Sequence, residues 1–288
     1  MEGELWNGLY HLVVEVGKEF HSRCVQFSNS TIVLVFFWAV LHDRPVSWAC
    51  REDNWPQEER FWPHPSPATM SRRLRTPLVQ SLLKEVQRRS QEPLPPTGWS
   101  HLDGKSLPIG GSSRDPDAGY GRAAGGTKAK GYKLHALWDA GGAVLAWELQ
   151  PIQVAEAKVA CRLVRQSPAP GLVLADANYD DNELYDQAGA CGQQLIAAKR
   201  YPQARGLGHQ YQSLYRLRAL RMLDDGVGWP LLLARRAIER QFGSLGNFSG
   251  GLGPLPHWVR RLPRVRRWVQ AKLILNALRL VHNKGLAA

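Results

Sequence analysis

The segment Gln91-Glu-Pro-Leu-Pro-Pro-Thr97 separates two stretches whose apolar residues repeat with different periods. Proline fixes φ and carries no amide donor, so this cluster can continue neither a helix nor an inner strand. Upstream, the spacing predicts helices. Leu5–Cys24 has helical apolar periodicity, and Ser30–Leu41 is apolar all round, as a buried helix is. Its apolar run, Thr31–Leu41, is 11 residues, against roughly 20 needed to span a bilayer. Asp43-Arg-Pro breaks the pattern before a short helix near Val46–Glu52. The proline-rich Trp62-Pro-His-Pro-Ser-Pro then leads into a helix over Ser66–Val86, with Ser66 as N-cap and Pro67 at the first helical position.

Downstream the period shortens to two. Strands are expected over His101–Leu107, Lys130–Trp138 and Ala143–Gln150, the last two joined by the hairpin turn Asp139-Ala-Gly-Gly. A loop fills 110–126. A helix over Val154–Gln166, a strand over Leu172–Asp176, a helix over Asn182–Cys191 and a strand over Gln194–Ala198 follow, then further helices, the last over about Arg267–His282 and expected to pack on the sheet. The order β-β-β-α-β-α-β predicts a mixed α/β fold, a mixed sheet flanked by helices. Two domains are expected: a helical one over 1–95 and a sheet domain over 96–288.

Charge is distributed unevenly. From Arg200 onward there are 16 Lys and Arg against three acids, about +13, whereas the first 199 residues hold 21 basic and 22 acidic residues. A concentrated basic region predicts a polyanionic partner, since phosphate neutralisation drives sequence-independent binding. Arg260, Arg261, Arg264, Arg266 and Arg267 fall within eight residues, beside Trp258 and Trp268, which suits phosphate contact and base stacking. Pro256 and Pro263 are expected to keep that stretch out of a buried helix. In the N-terminal part, a short helix, an irregular turn and a helix carrying Arg72, Arg73 and Arg75 resemble a helix-turn-helix with a basic recognition helix. Most of the 11 tryptophans should be core. The four cysteines are scattered with no C-x-x-C, and Met1–Glu19 has no clean apolar signal region, so a reducing cytoplasm is expected.

Three acidic residues stand where rigid elements are expected. Asp103 follows the linker in Trp99-Ser-His-Leu-Asp-Gly-Lys, Asp176 ends the apolar run Gly171-Leu-Val-Leu-Ala, and Glu239 lies in a helical run over Trp229–Leu245, four residues after Arg235. Each has a plain structural alternative. Asp-Gly is a common turn, Asp176 could cap the turn after it, and Arg235 with Glu239 is an i,i+4 surface pair. A carboxylate ending a buried strand is nevertheless unusual unless its charge is used. Taken together the three match the carboxylates with which a phosphoryl-transfer enzyme holds Mg²⁺.

The same residues carry a resemblance. Asp-Gly-Lys after a linker, a strand-ending Asp followed by Asn-Tyr-Asp-Asp, and R-x-x-x-E in a late basic helix resemble the DDE transposases of bacterial insertion sequences. The likeness is to the branch with a Y-x-x-R-x-x-x-E-x-x-x-x-x-x-K signature on a ribonuclease-H-like domain, and Lys130-Gly-Tyr-Lys-Leu-His-Ala, with Lys133, is similar to that group as well. The resemblance spans roughly Leu102–Leu280. It implies that Asp103, Asp176 and Glu239 are the catalytic, metal-binding triad and that Arg235, the signature arginine, and Lys133 contact DNA. It further implies two Mg²⁺ (or Mn²⁺) ions, double-stranded DNA (terminal repeats and target) as partner, a dimer on that DNA, and a nucleoid-associated cytoplasmic location. Leu232 and Gly246 occupy the signature tyrosine and lysine positions, where Arg236, Arg240 or the Arg260–Arg267 cluster could substitute. Two alternatives stay open: a metal-dependent nuclease without strand transfer, and a decayed copy that only binds DNA.

Overall fold

The computed structural model describes residues 2–22, 25–56, 64–123, 126–167, 170–203 and 211–285. Its contacts divide the chain into two units, one of Met1–Leu94 with Ser244–Ala288 and one of Pro95–Gly243. The expected helix end at Cys24 and the Trp62-Pro63 start of the proline-rich lead lie outside the described residues.

The first unit opens with α1 (Glu2–Gly17), α2 (Asn29–Leu41) and α3 (Val46–Ala49). Ser28 caps α2 by accepting from the Thr31 amide, and Ile32, Val33, Val35 and Phe37 are fully buried, as its uniformly apolar sequence requires. Trp38 and Trp55 stack at 4.8 Å, and each indole N–H donates to a backbone carbonyl, of Asn54 and Ala49 respectively. Buried indoles need such acceptors. The helix expected over Ser66–Val86 is instead two, α4 (Pro67–Arg73) and α5 (Pro77–Gln91). Ser66 caps α4 as expected. Pro77 causes the break, because it cannot donate to the preceding turn and pushes Thr76 into extended geometry, ψ 144°.

The second unit is built on one mixed sheet. Its strands are β1 (Trp99–Pro108), β2 (Gly119–Arg122), β3 (Lys128–Asp139), β4 (Val144–Pro151), β5 (Gly171–Ala175) and β6 (Gln193–Ala197). β1, β3 and β4 form an antiparallel meander, while β5 and β6 extend the other edge of β1 in parallel. The order β4-β3-β1-β5-β6 is that of a ribonuclease-H-like sheet. β2, inside the expected loop over 110–126, pairs with the start of β3 on the same edge as β4. Backbones approach closely here: a Cβ on Gly131 would lie 2.4 Å from the Leu107 carbonyl oxygen.

Helices cover both faces. α6 (Glu156–Gln166) and α7 (Asn182–Ala190) pack Val159, Leu163, Leu184 and Tyr185 against Leu102, Val173 and Leu195. Asp181 caps α7 by accepting from the Leu184 amide. On the opposite face Leu174 and Ile196 meet Leu220 and Leu223 of α8 (Leu214–Asp224), with Leu231 and Leu232 of α9 (Gly228–Ala234). α10 (Ala237–Gly246) follows after a two-residue break.

The last helix, α11 (Leu262–Asn283), belongs to the first unit and packs on α1, α2 and α5, where the sequence suggested the sheet. It begins five residues earlier than expected. Pro263 sits in its first turn, where a missing N–H is harmless, so this proline starts the helix instead of excluding it. Lys272, 1% exposed, donates to the Val40 carbonyl at 2.8 Å and to Asp43 at 2.6 Å. That satisfies an ammonium that burial would otherwise penalise.

Candidate active site

The parallel pairing of β1 with β5 brings two of the three predicted acids together. Leu102 and Ala175 are register partners, so Asp103 and Asp176 are the next residues along two adjacent strands. Asp103 sits mid-strand, because β1 runs on to Pro108, and its Asp-Gly is not a turn. Asp176 ends β5 as expected and also caps the following one-turn helix, accepting from the Asn178 amide at 2.8 Å. Capping uses lone pairs on both Asp176 oxygens without neutralising their charge. Asp103 is three-quarters buried, and desolvation raises its pKa to about 6. The Gly104 N–H, donating at 2.7 Å, and the Arg235 guanidinium at 3.8 Å pull it down, while the charges of Asp176 and Glu156 push it up.

Glu156 is a site residue that sequence reasoning missed. It opens α6, and Lys133 on β3 forms an ion pair with it. A Cβ on Gly104 would strike the Lys133 stem at 2.6 Å, so the glycine after Asp103 is what lets that side chain cross β1. Tyr179 lies fully buried nearby, its pKa raised by burial and then by the charges of Glu156, Asp103 and Asp176. Three carboxylates therefore act on one phenol. No residue spacing marks Glu156, which sits in an amphipathic helix like many surface glutamates.

The third predicted acid is placed differently. The run Trp229–Leu245, expected as one helix, breaks at Arg235–Arg236, where i→i+3 bonds such as Ile238 N–H to the Arg235 carbonyl replace the helical pattern. Arg235 turns to Asp103, and not to Glu239 as an i,i+4 pair would. Glu239 is exposed on α10. Among the described residues no three His, Cys, Asp or Glu side chains are gathered so as to hold a metal ion. Leu232, at the signature tyrosine position, packs toward Leu174 and Ile196 as an apolar residue. Gln241, two residues after Glu239, is anchored: its Oε1 lies 3.3 Å from His101 Nδ1 and its amide donates to the Asp139 carbonyl at 2.8 Å.

The other predicted DNA-contacting arginines lie in the first unit. Arg72 is exposed on α4, and Arg73 donates to Asn29 at 2.7 Å. Arg75 folds back on Ser71. Arg260 donates to the Pro256 and Val259 carbonyls, Arg261 takes a positive φ of 72° just before α11, and Arg264, Arg266 and Arg267 occupy its first turns.

The family model described as "Transposase DDE domain" matches residues 100–252. The chain belongs to that family. The matched stretch contains Asp103, Lys133, Asp176, Arg235 and Glu239, and it leaves Arg72, Arg73, Arg75 and the Arg260–Arg267 cluster outside. No curated protein sequence matches the chain. A solved piggyBac transposase, in a synaptic complex with hairpin DNA, is similar over 96% of this chain and 74% of that one, at 10% identity and a TM-score of 0.44.

Transposases of the DDE family typically use divalent metal ions. The donor chemistry of the Asp103–Asp176 pair fits one such ion, since Mg²⁺ is commonly held by one or two carboxylates, with water and substrate phosphate completing its shell. Among the described residues Glu239 is not gathered with that pair. Among the described residues no helix is long and apolar enough to cross a membrane.

Proposed function

We propose that this DDE transposase performs metal-dependent cleavage of DNA strands at the ends of a mobile element and joins the freed 3′-hydroxyls to target DNA. The observation that carries the reading is the Asp103–Asp176 pair on adjacent parallel strands, with Arg235 reaching Asp103. A divalent ion held by these two carboxylates, with a second expected from the family, would activate the attacking hydroxyl and offset charge on the leaving oxygen. The chain's own groups do the rest. Arg235 orients Asp103, and the Asn178 amide, donating to Asp176, holds that carboxylate. Lys133 neutralises Glu156, so that Asp103 and Asp176, and not Glu156, are left to a metal ion.

Sequence recognition is assigned to the helical unit, with Arg72 and Arg75 exposed, and phosphate contact to the arginines around Arg260–Arg267. Two copies acting on paired ends is the expected assembly.

The position of Glu239 favours a second reading, a copy that binds DNA without cutting it. One experiment separates the two. The full chain is incubated with Mg²⁺ and a duplex carrying candidate inverted repeats taken from either side of the coding frame. The proposal expects nicking at the repeat ends and joining of the product into a plasmid. Nicking without joining leaves a nuclease, and no nicking by the parent protein leaves the DNA-binding reading.

A further inference from the structure

The helical unit holds an opening of about 390 Å³ that belongs to no part of the candidate active site. The size lies within the roughly 300–1,000 Å³ of small-ligand pockets. Two kinds of surface meet there. Val46, Leu74 and Trp268 supply apolar wall, while Arg75, Arg264 and Arg267 also line it. Wall and charges come from both ends of the chain, α3 and α4 on one side and the start of α11 on the other.

Among the described residues the arginines lack an answering charge. Arg267 is about half buried, and it makes no hydrogen bond or ion pair with any described residue. Burial and the positive charges of Arg264 and Arg75 hold its pKa below the usual arginine range. Arg75 and Arg264 are steered by backbone carbonyls, those of Ser71 and Trp258, and each guanidinium keeps further N–H groups to donate. The indole N–H of Trp258, which lines the same opening, is buried with no hydrogen-bond partner among the described residues. Buried donors without acceptors are rare in folded proteins and mark places where a ligand or water completes the bonding.

An inorganic anion would satisfy the arginines but leave the apolar wall bare, and a purely apolar ligand would do the reverse. A flat aromatic body bearing a phosphate satisfies both. We propose that this opening is a nucleotide site, with the base against Trp268 and Leu74 and the phosphate on Arg267, Arg264 and Arg75. The nucleotide could be free in solution or be one unstacked residue of a DNA strand. The proposal is independent of strand cleavage.

The test uses the full chain. Equilibrium dialysis compares deoxyadenosine 5′-monophosphate with inorganic phosphate and with deoxyadenosine. The nucleotide should bind at least tenfold more tightly than either. Arg267→Gln should remove that advantage, and so should Ser71→Trp, which fills the opening and keeps every arginine; circular dichroism checks that both variants fold. A duplex with one unpaired nucleotide is then compared with a fully paired duplex. A preference for the unpaired nucleotide, lost in both variants, assigns the site to a DNA strand; mononucleotide binding without that preference assigns it to free nucleotide. If phosphate binds as well as the nucleotide, or if both variants bind like the parent, the nucleotide site is wrong. Failure of DNA cleavage with mononucleotide binding intact would reject the proposed function alone.

Discussion

The two units concentrate charge of opposite sign by different means. In the sheet unit, Asp103 and Asp176 are forced together by backbone register, and among the described residues one arginine, at 3.8 Å, answers them. In the helical unit, Arg75, Arg264 and Arg267 are gathered by the packing of α4 and α11 around an open cavity, and Arg267 has no described counter-ion. Both arrangements oppose the stability of the empty protein, because each desolvates groups that repel one another. Elsewhere the chain neutralises such groups: Lys272 has Asp43, Arg216 has Asp180, and Lys133 has Glu156. Each of the two clusters is suited to a ligand of opposite sign. A sheet register fixes two carboxylates closely, as a metal ion needs. A helix-lined cavity positions longer arginine side chains more loosely, as a larger anion tolerates.

The largest effect should come from breaking the acidic pair. Asp103→Asn and Asp176→Asn are near-isosteric but remove the charge a hard cation requires. Each should lower strand cleavage about 10²–10³-fold, the range seen when one electrostatic contact to a transition state is lost, and leave DNA affinity within about twofold. Glu239→Gln sharpens the comparison. A loss as large as that of Asp103→Asn would mean that Glu239 joins the pair when DNA is bound; cleavage at the parental rate would remove it from the site. Quantitative nicking assays on the three variants decide both points.

The next effect is on stability, measured without metal. Asp103 has its pKa raised to about 6, so the folded state binds more protons than the unfolded state between pH 4 and 6. Stability from this group is therefore lost as pH rises through that window, by at most about 3 kcal/mol for a shift of two units. His135, buried across from Gly104, has its pKa lowered to about 4, chiefly by desolvation. There the unfolded state binds the extra proton, so stability rises with pH from about 4 to 6.5. In the parent protein the two slopes oppose each other. Asp103→Asn removes the falling one, so urea titrations should find it up to about 3 kcal/mol more stable than the parent at pH 8 and no more stable at pH 4. Mg²⁺ should narrow the difference by stabilising the parent alone. A variant less stable than the parent at pH 8 would show that Asp103 is not under strain.

Much of the sheet unit was legible because strands and turns leave local marks. Alternating apolar residues and Asp139-Ala-Gly-Gly located β3, β4 and their hairpin, and an apolar run with no polar break located β5 and the acid at its end. β2 left no such mark: Gly119-Tyr-Gly-Arg has low strand propensity and exists through pairing with β3. The helices were legible in kind but not in extent. Pro77 divides a run whose apolar periodicity continues across it, and Pro263 opens a helix it was expected to prevent. The partner face of α11 and the role of Glu156 could not be read at all, since both depend on residues distant in sequence, Lys272 meeting Asp43 and Glu156 meeting Lys133. Family likeness located Arg235 but not its partner. Its ion pair with Asp103 depends on the break before α10, which helical periodicity conceals.

The smallest expected effect tests the basic half of the comparison. If Arg267 is held against Arg264 and Arg75 without a counter-ion, replacing it with a neutral residue of similar reach should relieve repulsion. Arg267→Met should raise stability in low salt by about 1 kcal/mol, the scale of like-charge interactions near a protein surface. The gain should shrink as ionic strength rises, because screening already weakens the repulsion in the parent. Phosphate at constant ionic strength should stabilise the parent more than the variant, since only the parent keeps all three charges. Thermal melts across salt and phosphate series measure all of this. A variant destabilised at every ionic strength would mean that the stem of Arg267 packs usefully against Trp268 and that its charge is adequately solvated. The arginine cluster would then be an ordinary basic surface, and the symmetry between the two units would fail on the positive side while the acidic pair remained.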